Sequence, residues 1–207
     1  MTPGLAGWRR SWRELGQGAG GEALYRRLVA CWSEPHRHYH TLQHLLECLA
    51  LFEPVRAMAQ RPGEIELALW FHDAIYDPRR DDNEERSAEW ARACLLEAGL
   101  PPVVAGRLHA LVMATRHEAV PEDADAQLLV DVDLAILGSD PARFDESDEQ
   151  IRLEYAHVPE GEFRASRRRV LGEFLARPRL YSTEWAHSRF ERQARENLAR
   201  ALARLSD

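Results

Sequence analysis

Residues 64–76, Glu-Ile-Glu-Leu-Ala-Leu-Trp-Phe-His-Asp-Ala-Ile-Tyr, are apolar on nearly every side of a helical projection. A helix of that kind cannot lie on a surface; it must be a central rod around which other elements pack. Helical spacing of leucine and alanine supplies those elements over 22–33 and 41–59, then over about 84–97, 103–116 and 123–137. It resumes over 142–157, 160–176 and 184–205, the last with Ala194, Leu198, Ala201, Leu202 and Leu205 on one stripe. Gly99 and Pro101-Pro102 stop the helix that begins near Glu84. Only 128–136, Leu-Leu-Val-Asp-Val-Asp-Leu-Ala-Ile, partly alternates as a strand would. A lone strand has no partner in such a chain, so helix is expected there too. With 207 residues, no repeat and no long linker, the expectation is one all-α domain.

Composition narrows the chemistry. The formal charge is 27 − 34 = −7, which argues against a surface that coats a nucleic-acid polymer. All 27 basic residues are arginine, so Schiff-base chemistry, a P-loop lysine and a Ser-Lys dyad are excluded. Cys31, Cys48 and Cys94 form no CxxC pair, which suits a reducing cytoplasm better than a disulfide framework. No apolar run reaches the roughly 18–20 residues of a membrane span, and 1–18 lack the apolar core of a signal peptide. Gly16, Gly18 and Gly21 match GxGxxG but follow no strand, so they read as a loop. Arg164 to Arg169 read as one charged helix face.

Nine histidines and many acids direct attention to metal and acid/base chemistry, carried by four short pieces. In Arg37-His38-Tyr39-His40-Thr41-Leu42-Gln43-His44, the spacing predicts His40 and His44 one turn apart on one helix face. Thr41 stands where a zinc protease would need glutamate. His72-Asp73 falls inside the most apolar helix, where an ionised aspartate requires a partner. No arginine lies between Arg61 and Arg79, so a metal ion with His72 as co-ligand is one reading. An exposed helix end with a satisfied core histidine is the other. Asp131-Val132-Asp133 presents two acids that point in opposite directions on a helix, so only one can face a given site. In Asp81-Asp82-Asn83-Glu84-Glu85, Asp82 and Glu85 suit a capping box, whereas Asp77 lies outside it as a candidate acid/base.

In order, spacing and helical context these pieces resemble the HD-domain superfamily, and specifically its branch of predicted metal-dependent phosphohydrolases. The resemblance runs through Arg-x-Tyr-His-x-x-x-His (Arg37 to His44), Phe-His-Asp-x-x-Tyr-Asp (Phe71 to Asp77), Asp-Asn-Glu-x-x-Ser-Ala (Asp82 to Ala88) and Asp-x-Asp-Leu-x-Ile-Leu-Gly (Asp131 to Gly138). It implies an HD-like helical core over about 30–140 with a C-terminal helical extension over about 141–207. It also implies His44, His72, Asp73 and Asp133 as metal ligands, Asp133 being preferred to Asp131 through Val132-Asp133-Leu134.

The same resemblance implies His40 as the acid that protonates a leaving oxygen and Asp77 as a carboxylate near the attacking water. Arg37 and Arg116, with His117, become candidates for holding phosphate. The implied activity is hydrolysis of a small, nucleotide-like phosphate ester or anhydride with one or two divalent ions (Mn, Mg, Fe, Co, Ni or Zn). Homo-oligomers are compatible with it. Two other readings stand beside it: a di-iron oxygenase drawing on His109 and His117, and a non-catalytic metal- and nucleotide-binding sensor.

Overall fold

The structure is a computed structural model that describes residues 4–18 and 21–206. It is all-α, as the periodicity predicts. The helices are α1 (Leu5–Glu14), α2 (Glu22–Cys31), α3 (Leu42–Phe52), α4 (Pro62–Phe71), α5 (Asn83–Glu97), α6 (Pro102–Ala114), α7 (Ala124–Asp133), α8 (Pro141–Glu154), α9 (Glu160–Ala176) and α10 (Glu184–Arg204). Short 3-10 turns follow α3 (Glu53–Met58) and α7 (Leu134–Gly138). The ambiguous 128–136 stretch is thus helical, tightening into the second 3-10 turn after Asp133. No described helix is long and apolar enough to cross a membrane.

The chain divides into two compact units, Met1–Val132 and Asp133–Asp207. The division falls at the last residue of α7, so Asp133 is held by a helix that otherwise belongs to the first unit. In that unit α4 is the rod: Gly63 through Phe71 are all buried, and α1, α3, α5 and α6 pack around it. Trp8 and Trp12 of α1, Tyr25 of α2 and Trp70 of α4 meet through tilted and edge-on ring pairs 5.2–5.9 Å apart. Two acids inside the rod are satisfied by long-range partners. Glu66 accepts from Ser11 Oγ (2.9 Å) and Arg56 Nη1 (2.7 Å), and Glu64 accepts from Arg107 Nε (2.8 Å). The Gly99 stop behaves as expected: its φ is +79° and Leu100 N–H returns to Leu95 O at 3.0 Å.

In the second unit α10 clamps the 3-10 turn that follows Asp133. Buried Asn197 donates to Leu137 O (2.9 Å) and Ser139 O (3.0 Å), and Tyr181 Oη donates to Leu134 O (3.0 Å). Gly138 lies so close to α10 that an added Cβ would meet Phe190 Cβ and O at 2.6 Å. That neighbour is partly backbone and cannot rotate away. Gly138→Ala is therefore expected to lower stability by about 1–3 kcal/mol, read as a shift of the urea midpoint at unchanged m-value. An unchanged midpoint would show that α10 yields at no cost.

Asp145 on α8 has its pKa lowered from 3.8 to about 2, because hydrogen bonding to Arg204, and then to Arg200, outweighs burial. A depressed carboxylate contributes stability above its unfolded pKa and loses it as pH falls through the folded value. The gap between wild type and Asp145→Asn should thus be full above pH 4 and should close toward pH 2, in acid-unfolding curves followed by circular dichroism. Parallel curves across that window would remove the ion pairs from the stability of this unit.

Candidate metal centre

The histidine and aspartate pieces come together where α3 begins and α4 ends. Thr41 caps α3, its hydroxyl accepting from Gln43 N–H at 3.3 Å, which places His44 in the first turn with 3% of its surface exposed. His40 therefore precedes the helix, and the predicted shared face of His40 and His44 is not formed. The two rings are nevertheless near, with centroids 6.2 Å apart.

The second piece also departs from its prediction. α4 ends at Phe71, so His72 is its C-cap and Asp73 lies in the turn beyond, although both stay buried. The reason is Arg37. Its guanidinium donates to the carbonyls of Asp73 (2.6 Å) and Ala74 (3.1 Å), satisfying groups that a longer helix would have satisfied internally.

Arg37 also donates from Nε to Glu34 (3.0 Å), from Nη1 to His40 O (3.2 Å), and from Nη2 to Glu34 (2.9 Å). The Trp32 and Tyr76 rings lie 5.6 and 5.4 Å away. In this structure Arg37 bolts the His40 turn to the Asp73 turn, with four hydrogen bonds directed at protein oxygens.

His72 Nδ1 donates to Leu69 O at 2.9 Å, which directs the Nε2 lone pair of a neutral ring the other way. That nitrogen lies 3.2 Å from His44 Nε2 and 3.0 Å from Asp73 Oδ2, with His44 Nε2 4.0 Å from the same oxygen. Atoms this close are held either by a proton shared between them or by a cation among them. Adjacent ligands of an ion bonded at about 2.1 Å stand about 3 Å apart, so the donor set fits a divalent cation of the N/O-binding kind. Near the end of α7, Asp131 is fully buried, and Asp133 closes the helix.

Cys48, one turn after His44, places Sγ 3.7 Å from His44 Nδ1 and 4.0 Å from Val132 O, filling the space between α3 and the end of α7.

Other candidates lie around this group. Asp77 turns its carboxylate onto Arg79 N–H (3.0 Å), and no hydrogen bond or ion pair joins it to the histidines. It sits in the turn that follows Asp73. Asp82 occupies the start of α5 without capping it, because its carboxylate is taken by Arg80 Nε at 2.6 Å, so the predicted capping box is absent. Asn83 and Ser87 of α5 instead pin the turn. Asn83 accepts from Asp77 N–H (3.1 Å) and donates to Asp77 O (2.9 Å), while Ser87 Oγ accepts from Ile75 N–H (3.0 Å). Arg116 pairs with Glu118 at 2.8 Å. His117 holds φ at +57°, a left-handed conformation uncommon outside glycine. His109, needed for a di-iron centre, pairs with Glu89 at 3.2 Å.

Glu84 was not singled out from sequence. Burial pushes its carboxyl pKa up and the Asp73 charge adds to this, against the lowering influence of its own backbone hydrogen bond, Arg116 and His117. Glu84, Asp73, Arg116 and His117 thus share one electrostatic neighbourhood. The Asp-Asn-Glu motif contained this signal, but only the placement of α5 beside the Asp73 turn reveals it.

Compared with known proteins, the chain matches no family model, no curated sequence and no solved structure.

Proposed function

We propose that this chain is a metal-dependent phosphohydrolase of the HD-domain type, acting on a small, nucleotide-like phosphate ester or anhydride. The observation that carries the reading is the convergence of His44 Nε2, His72 Nε2 and Asp73 Oδ2 within 3.0–4.0 Å in a buried setting. Together with Asp133 these residues would hold a divalent ion. Such an ion lowers the pKa of water and neutralises charge on a phosphoryl group.

The chain's own residues supply the rest. Leu69 O fixes the ring of His72, and Arg37 fixes the turn that carries Asp73. His40, half-buried beside His44, donates a proton to the departing oxygen. Arg116 and His117 hold phosphate. The Arg116 pair with Glu118 is partly exposed and gives way to an anion at low cost.

Elemental analysis of chelator-free protein, followed by a screen of phosphate monoesters, nucleotides and pyrophosphates, tests the reading. The expected result is one or two divalent ions per chain and turnover of at least one substrate. Protein that holds no metal after soaking in manganese or zinc would overturn it, and tight nucleotide binding without turnover would point to a sensor. His40→Ala is expected to keep the metal and to lower kcat by roughly a hundredfold or more. An unchanged kcat removes the acid role.

A further inference from the structure

The imidazole assigned to proton donation is held by rings, not by its own helix. His40 lies outside α3, so its backbone is not held in the helix. Its ring stacks on Tyr76 with centroids 4.2 Å apart at 30° and meets Tyr39 edge-on at 4.8 Å. Tyr76 is itself fixed. Only 9% of its surface is exposed, Arg37 Cζ lies 5.4 Å from its ring, and its carbonyl accepts from His36 Nε2 at 2.8 Å.

Tyr76 also follows Asp73 by three residues, in the turn pinned by Ser87 and Asn83. One rigid turn thereby carries both a proposed metal ligand and the face on which the proposed acid rests. We propose that Tyr76 is the positioning residue of this centre. Its ring sets the plane of the His40 imidazole relative to His44 and His72, so that the proton is delivered beside the metal ligands. The proposal rests on the phosphohydrolase reading for its catalytic consequence, but the stacking can be measured without turnover. Stacking depends on the aromatic face and not on the phenol oxygen, so a phenyl ring should serve as well.

The test compares wild type, Tyr76→Phe and Tyr76→Leu, with Tyr76→Met as the reserve if the leucine variant does not fold. An imidazole over an aromatic face has its Cε1 proton shifted upfield by the ring current, and proton NMR assigned with His40→Ala reads that shift. In Tyr76→Phe the shift and kcat should stay within about twofold of wild type. In Tyr76→Leu the shift should vanish while metal content and KM hold. Its kcat should fall roughly a hundredfold, the scale of an ångström misplacement of a catalytic group.

Full kcat in Tyr76→Leu with the shift abolished overturns the positioning role alone. So does a fall in kcat matched by loss of metal, because a merely structural residue would do that. A wild-type protein that shows the shift and binds metal, yet turns over no phosphate compound, sinks the functional reading and the positioning role with it.

Discussion

His72→Ala and Asp73→Asn should each release the bound divalent ion and abolish phosphate-ester turnover together. Loss of a group that merely orients a ligand already weakens metal affinity by about 10–100-fold, so loss of a ligand should exceed a hundredfold. The asparagine variant is the sharper of the two. It keeps the volume of Asp73 and one oxygen while removing the charge that balances a cation beside His44 and His72. Metal per chain by elemental analysis, with thermal melting as the control for folding, reads the result. Undiminished metal in both variants would mean that His72 and Asp73 are structural. The close approach of their side chains would then reflect a shared proton, with His72 as an imidazolium donating to both Leu69 O and Asp73 Oδ2.

The second large effect is expected at Arg37, and it is an effect on stability. Arg37→Ala strips three carbonyls, of His40, Asp73 and Ala74, of a donor whose side chain is fully buried. Each buried carbonyl left unsatisfied costs about 1–3 kcal/mol, so the variant should lose roughly 3–9 kcal/mol. Against a total stability of roughly 5–15 kcal/mol that is a large share. Arg37→Lys should recover only part of it, because an ammonium cannot reproduce the planar fork that reaches two turns at once. Urea denaturation gives the number, and a loss below about 1 kcal/mol in Arg37→Ala would show that water replaces the guanidinium. A role in phosphate binding predicts the opposite pattern: stability kept and KM raised.

How far the chain could be read from its sequence varies from piece to piece. The central rod was plain in 64–71, since an element apolar on every side has one place to go. The stop at Gly99 and the stripe on α10 were equally plain, being local in origin. The nearness of His44, His72, Asp73 and Asp133 was indicated by resemblance, and the structure places the side chains of His44, His72 and Asp73 together. The expected cap of α5 failed for a physical reason: Asp82 does not cap the helix because Arg80 competes for its carboxylate. Residue type and spacing list what a side chain could bind. They do not rank competing partners.

By itself, then, the sequence determined the all-helical class and the succession of helices from α2 onward, but not α1. Those properties follow from periodicity, which is carried within a few residues of chain. Only the tertiary structure decided that α4 stops at Phe71, that the His40 ring rests against Tyr76, and that Glu84 shares the neighbourhood of Asp73. Each of these depends on a group distant in sequence: the guanidinium of Arg37, the ring of Tyr76, and the α5 side chains that pin the turn after Asp73. The energy of a buried hydrogen bond or ring contact depends on which groups folding brings together, and spacing along the chain does not encode that.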